Sequence, residues 1–108
     1  MMFAATENKG FQITFSNGYT ISCQFGASNY CQHYGRHLQP DYRLYEEMQK
    51  SIHTCEDCEI AIMKKGNKKW VTEEIIKAIG MECGYDEDVL ANVTPDEVGK
   101  IIAYLVTL

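Results

Sequence analysis

Apolar and polar residues alternate with a period of two along residues 10 to 25, GFQITFSNGYTISCQF. Phe11, Ile13, Phe15, Tyr19, Ile21, Cys23 and Phe25 fall on one side, and Gln12, Thr14, Thr20, Ser22 and Gln24 on the other. This pattern predicts an antiparallel β-hairpin with one face on a core. Asn17-Gly18 between the arms predicts a two-residue type I′ turn, which needs two positive φ angles. Residues 26 to 40 hold turn formers without periodicity and predict a loop. Pro40-Asp41 then opens an expected helix over 41 to 51, with Tyr42, Tyr45, Met48, Gln49 and Ile52 on one face.

The run Cys58-Glu59-Ile60-Ala61-Ile62-Met63 has the length and composition of a strand, closed by a turn at Lys65-Gly66-Asn67-Lys68. Trp70 and Val71 are expected to start a returning strand. Residues 72 to 80, TEEIIKAIG, predict two helical turns capped by Thr72 and stopped at Gly80, with extended structure as the alternative that the β-branched isoleucines permit. Thr94-Pro95-Asp96-Glu97 is a capping box with proline at the first helical position. Val98, Ile101, Ile102, Leu105 and Val106 follow as an apolar stripe. The expected architecture is a small α+β domain: an antiparallel sheet from residues 10 to 25 and 58 to 71, with a C-terminal helix packed across it.

Composition narrows the function classes. A chain of 108 residues is one domain's worth, and 45% hydrophobic with 23% charged residues excludes disordered and coiled-coil chains. No stretch reaches the roughly 20 apolar residues that cross a bilayer, and MMFAATENKGFQ lacks a basic start followed by an apolar run. A cytoplasmic protein is expected. The net charge of −5 argues against a general grip on nucleic-acid phosphates. Residues 73 to 108 carry eight acidic against two basic side chains, a net −6, which leaves +1 on the first 72. Such a one-sided surface suits either a basic protein partner or plain solubility. Lys64, Lys65, Lys68 and Lys69 around Gly66-Asn67 read first as solubilising residues at a strand edge, with phosphate contact as the alternative.

Five cysteines, an odd number without an export signal, make a disulfide framework a poor reading. Cys55-Glu56-Asp57-Cys58 has C-x2-C spacing and His33-Tyr34-Gly35-Arg36-His37 has H-x3-H spacing. Two thiolates and two imidazoles would close a tetrahedral structural zinc site through His33, His37, Cys55 and Cys58, with Cys31 and His53 in reserve. Cys31 is the expected substitute if only one histidine binds. The alternative leaves Cys58 in the strand core and Cys55 and the histidines in solvated loops. A Cys31/His33 nucleophile and base lacks an oxyanion-hole glycine signature or a third orienting group, so no enzyme is expected. Cys23 belongs to the hairpin's apolar face, and Cys83 has no assignable role.

The blocks GFQITFSNGYTISCQFGASNYC, DCEIAIM at 57 to 63 and VTPDEVGKIIAYL at 93 to 105 together resemble a family of short proteins carried by phages and mobile elements. Within it, a small acidic member with a metal-ligand set is similar to anti-CRISPR inhibitors of the type II effector Cas9. The resemblance implies a phage-encoded protein in a bacterial cytoplasm that binds Cas9 stoichiometrically and blocks DNA loading or recognition without catalysis. It also implies that the N-Y-C block occurs without the C-x2-C pair, which favours His33 and His37 over Cys31 as ligands. Cas9 holds its guide and target in positively charged channels, so Asp86, Glu87, Asp88, Asp96 and Glu97 would steer contact. The runner-up is a zinc-stabilised phage accessory protein with another host partner.

Overall fold

The hydrophobic alternation is realised in a larger sheet than the sequence suggested. A computed structural model describes residues 1–6, 9–43, 46, 52, 54–81, 85–86 and 88–108, with only the backbone of Tyr85 and Asp86. Its strands are β1 (Met2–Ala5), β2 (Gly10–Thr14), β3 (Tyr19–Gln24), β4 (Cys58–Lys64), β5 (Tyr85–Asp86) and β6 (Val89–Val93). They lie in the order β1-β2-β3-β4-β6-β5, each neighbouring pair antiparallel. Helices α1 (Thr72–Ala78) and α2 (Pro95–Leu105) complete an α+β fold. Ile21, Ile60, Ile62, Ile101 and Leu105 are fully buried at its centre.

The expected hairpin is β2–β3, but its turn differs. Phe15 N–H donates to Tyr19 O at 2.8 Å and Gly18 N–H to Phe15 O at 3.0 Å, so Ser16, Asn17 and Gly18 form a three-residue loop. Only Gly18 takes positive φ, at 89°. The apolar pattern itself demands this. Residues opposite each other in an antiparallel pair share a face, so the odd-numbered apolar residues of both arms must pair together, as Ile13 with Ile21 and Phe11 with Cys23 do. A two-residue turn would have set Phe15 opposite Thr20. Asn17 is freed to donate through Nδ2 to Leu105 O at 2.7 Å and Leu108 O at 3.0 Å, tying the turn to the end of α2.

The returning strand expected at Trp70 and Val71 is absent. Val71 N–H donates to Ile62 O at 2.8 Å and Thr72 Oγ1 accepts from Ile62 N–H at 2.9 Å, so both outward groups of Ile62 are used by two residues that turn directly into α1. Trp70 is 46% exposed. Thr72 is thus a buried acceptor inside α1, and Val71 holds the N-cap position. Gly80, with φ 72°, follows the end of α1. The strand beside β4 is β6, which was not anticipated; its register with β4 shifts between the pairs Cys58–Val93 and Ile60–Leu90.

Helix α2 has the expected cap: Thr94 accepts from Glu97 N–H, and the Glu97 carboxylate accepts from Thr94 N–H at 3.0 Å. Ile101 and Leu105 are buried and Val98 and Ile102 partly so, whereas Val106, expected on the stripe, is exposed. The expected helix over 41 to 51 lies mostly outside the described residues, and Ile52, placed on its inner face, is exposed.

Replacing the Thr72 hydroxyl by a methyl in Thr72→Val would leave the Ile62 N–H buried without its acceptor, which costs about 1–3 kcal/mol. Urea unfolding should show that loss with an unchanged denaturant slope. Unaltered stability would mean that the Ile62 amide has no need of this hydroxyl.

Candidate metal centre beside the start of β4

Chain segment 26–38 leaves β3 and runs back along the start of β4, held there by carboxylates. Glu59 accepts from Tyr30 N–H at 3.0 Å through Oε2 and from Asn29 Nδ2 at 3.3 Å through Oε1. Asp57 accepts from Gln32 N–H at 2.6 Å through Oδ1 and from Asn92 Nδ2 at 3.3 Å through Oδ2. Glu56 N–H donates back to Gln32 Oε1 at 3.1 Å. Charge-assisted bonds of this type are the stronger class. The third side of the clamp is β6, where Asn92 takes φ 53° and its N–H donates to Tyr30 O at 3.0 Å.

This lacing brings together Cys31, Cys55 and Asp57, whose ligand atoms all lie within 4.8 Å of one another. Cys31 is buried, and Cys55 and Asp57 are half-buried. Two thiols and a carboxylate are suited to a borderline-soft divalent ion. Each Asp57 oxygen already accepts one hydrogen bond and retains a further lone pair, so the carboxylate can be oriented by Gln32 and Asn92 while binding a cation. The group can therefore hold a metal ion.

Burial pushes the Cys31 thiol up to about 11, from an ordinary 9.0; the His33 N–H aimed at its sulfur opposes this, and the neighbouring Cys55 adds to it. The sign follows from the native state keeping a proton that the unfolded chain releases. The metal-free fold loses this stabilisation as pH rises from about 9 to about 11, and metal binding must expel the proton.

Of the four ligands expected from spacing, the structure brings only Cys55 into this group. Cys58 begins β4 on the core face, buried against Cys23. Its hydrogen bond with Cys23 and its burial raise the Cys58 thiol far above the ordinary range, while the same bond holds Cys23 below it. His33 Nε2 lies 2.7 Å from Thr54 O and His37 Nδ1 lies 3.2 Å from Ala27 O. With those nitrogens protonated as donors, each ring keeps a lone pair on the other nitrogen. Cys31, the named substitute, is present. Asp57 was missed, although it lies inside the C-x2-C pair and has the parity of Glu59 rather than that of Cys58.

Of the acidic residues expected to steer a partner, Asp88 accepts from Glu73 N–H at 2.9 Å and Glu97 is engaged in its capping box, while Asp96 is exposed in the first turn of α2. The Asp86 side chain and Glu87 lie outside the described residues, as do His53 and Cys83. No helix among the described residues is long and apolar enough to cross a membrane. No protein-family model, curated protein or solved structure matches the chain.

Among the four described cysteines, alkylation of metal-free protein near pH 8 should modify Cys55 first and spare Cys31, Cys23 and Cys58, which are buried. Peptide mass mapping reads this order directly. Early modification of Cys31 would contradict its buried, protonated state.

Proposed function

We propose that the chain is a zinc-clamped binding protein that acts by stoichiometric capture of a protein partner. The observation that carries this reading is the Cys31, Cys55 and Asp57 group, because an ion held there would close the chain between residues 31 and 55. In a small domain with a thin core, such closure adds rigidity that packing alone does not supply. Zinc fits two thiolates and an oxygen, and His33 is the fourth ligand we assign: its backbone lies on Cys31 and its ring touches Thr54, next to Cys55. A four-ligand closed site is structural, and the function asks no chemistry of it.

The partner implied by the resemblance is Cas9, with or without its guide RNA, and the step blocked is target DNA loading or recognition in a phage-infected bacterial cytoplasm. The acidic C-terminal portion supports this choice, since channels built to hold nucleic acid are positively charged. Asp96, exposed at the start of α2, is the described residue best suited to steer such contact. Asp86, Glu87, Asp88 and Glu97 add to the field.

Purified protein should carry near one zinc per chain, lost in Cys31→Ser and Cys55→Ser and kept in the exposed-site variant His37→Ala. Loss of zinc in His37→Ala, with retention in Cys31→Ser, would instead assign the set His33, His37, Cys55 and Cys58. Metal-free protein that resists heat equally with and without added zinc would remove the clamp altogether.

Capture should be measured with purified Cas9 over a salt series. One-to-one binding that weakens as salt rises supports steering by the acidic residues. Absence of binding at low salt would overturn the Cas9 reading and leave the zinc assignment to its own test.

A further inference from the structure

The sheet's outer edge at β1 is short but lacks the charged residues and proline that usually blunt an edge. Met2–Ala5 carries no charge and no proline, and all four residues are exposed. Edge strands of this type are templates for further pairing. The free groups can be identified from the ladder. Thr6 N–H donates to Gly10 O at 3.0 Å, so by alternation Met2 and Ala4 also bond inward to β2. The backbone N–H and C=O groups of Phe3 and Ala5 therefore point outward.

The same edge leaves the core-side face of the sheet uncovered. Phe3 is opposite Ile13 and so shares its face, yet it is 84% exposed. A groove of about 420 Å³ runs here, lined by Met1, Phe3, Ile13, Phe15, Val106 and Leu108 among others. Patches of this apolar character on a small acidic domain mark a contact surface.

We propose that β1 pairs antiparallel with β1 of a second copy, making a two-fold dimer with one continuous sheet. Three observations select a second copy as the occupant. Antiparallel pairing of identical strands is self-complementary and closes after two chains. The two-fold axis of such a pair stands perpendicular to the sheet, so the core-side faces stay on one side and both grooves meet at the seam. There, Met1 and Phe3 of each copy cover those of the other. The β1 side chains are also uncharged, so two chains of net −5 meet along strands where neither carries an ionised side chain. Met1, Met2, Phe3, Val106 and Leu108 expose on the order of 600 Å², so a seam that covers them all reaches about 1,200 Å² over both copies, the lower end of a stable interface.

Light scattering on the full chain, from micromolar to millimolar concentration, should show the mass rising from 12.3 kDa to twice that value. Ala5→Pro removes one outward N–H while leaving the inward bonds of Met2 and Ala4 to β2, and should return the chain to a monomer with an unchanged circular dichroism spectrum. Phe3→Glu sets like charges across the seam and should do the same. Amide exchange at Phe3 and Ala5 should slow with concentration in the wild type. A wild-type chain that stays monomeric at millimolar concentration, its edge left to a strand of some other protein or to none, overturns the proposal. So does a dimer that both variants leave intact.

Discussion

The candidate metal centre depends on two carboxylates of the β4 segment accepting backbone N–H groups from a chain segment that has no ladder of its own. Asp57 takes Gln32 and Glu59 takes Tyr30, at 2.6 and 3.0 Å. These two bonds do for residues 29–33 what strand pairing does elsewhere, since each satisfies a backbone donor that would otherwise face a half-buried surface. They also fix where Cys31 lies. With the Glu56–Gln32 and Asn92–Tyr30 bonds, they bring together two cysteines far apart in sequence.

From that constraint the division of labour among the cysteines follows. Cys23 and Cys58 lie on the sheet's core face and bond to each other, whereas Cys31 and Cys55 lie with Asp57 where the loop meets β4. The bulged register of β6 serves the same region, because the Asn92 N–H leaves the ladder to reach Tyr30 and its side chain supports Asp57. Local irregularity in a strand is often retained where it re-aims a group toward a site. The clamp proposed here would stiffen the loop from three directions: β4, β6 and an ion.

The sheet's centre was legible because period-two alternation is unambiguous in β2 and β3 and β4 is an apolar run of strand length, and the α2 cap because Thr-Pro-Asp-Glu meets each requirement of a helix start. What escaped was set by pairing rather than by composition. Strand β1 has no alternation to read, and β6 contains Asn92 in a left-handed conformation that breaks its pattern. The type I′ turn was misread by taking Asn17-Gly18 as sufficient, although the odd numbering of both arms already required a loop of odd length. The C-x2-C spacing misled in a related way. Two residues three apart in an extended chain point to opposite faces, and Cys58 continues the parity of Ile60 and Ile62. By the same parity Cys55 and Asp57 share the face of Glu59, which is where the structure gathers them with Cys31.

A cation held beside these carboxylate bonds would order the same loop that they do. Amide hydrogen exchange of Tyr30 and Gln32, followed by NMR in the metal-free protein and after addition of one equivalent of zinc, measures this directly. Both amides should be measurably protected without metal and slow further with zinc, reversed by chelator, if the loop is ordered in this way. Fast exchange of both amides in the metal-free state, or rates indifferent to zinc, would contradict that ordering.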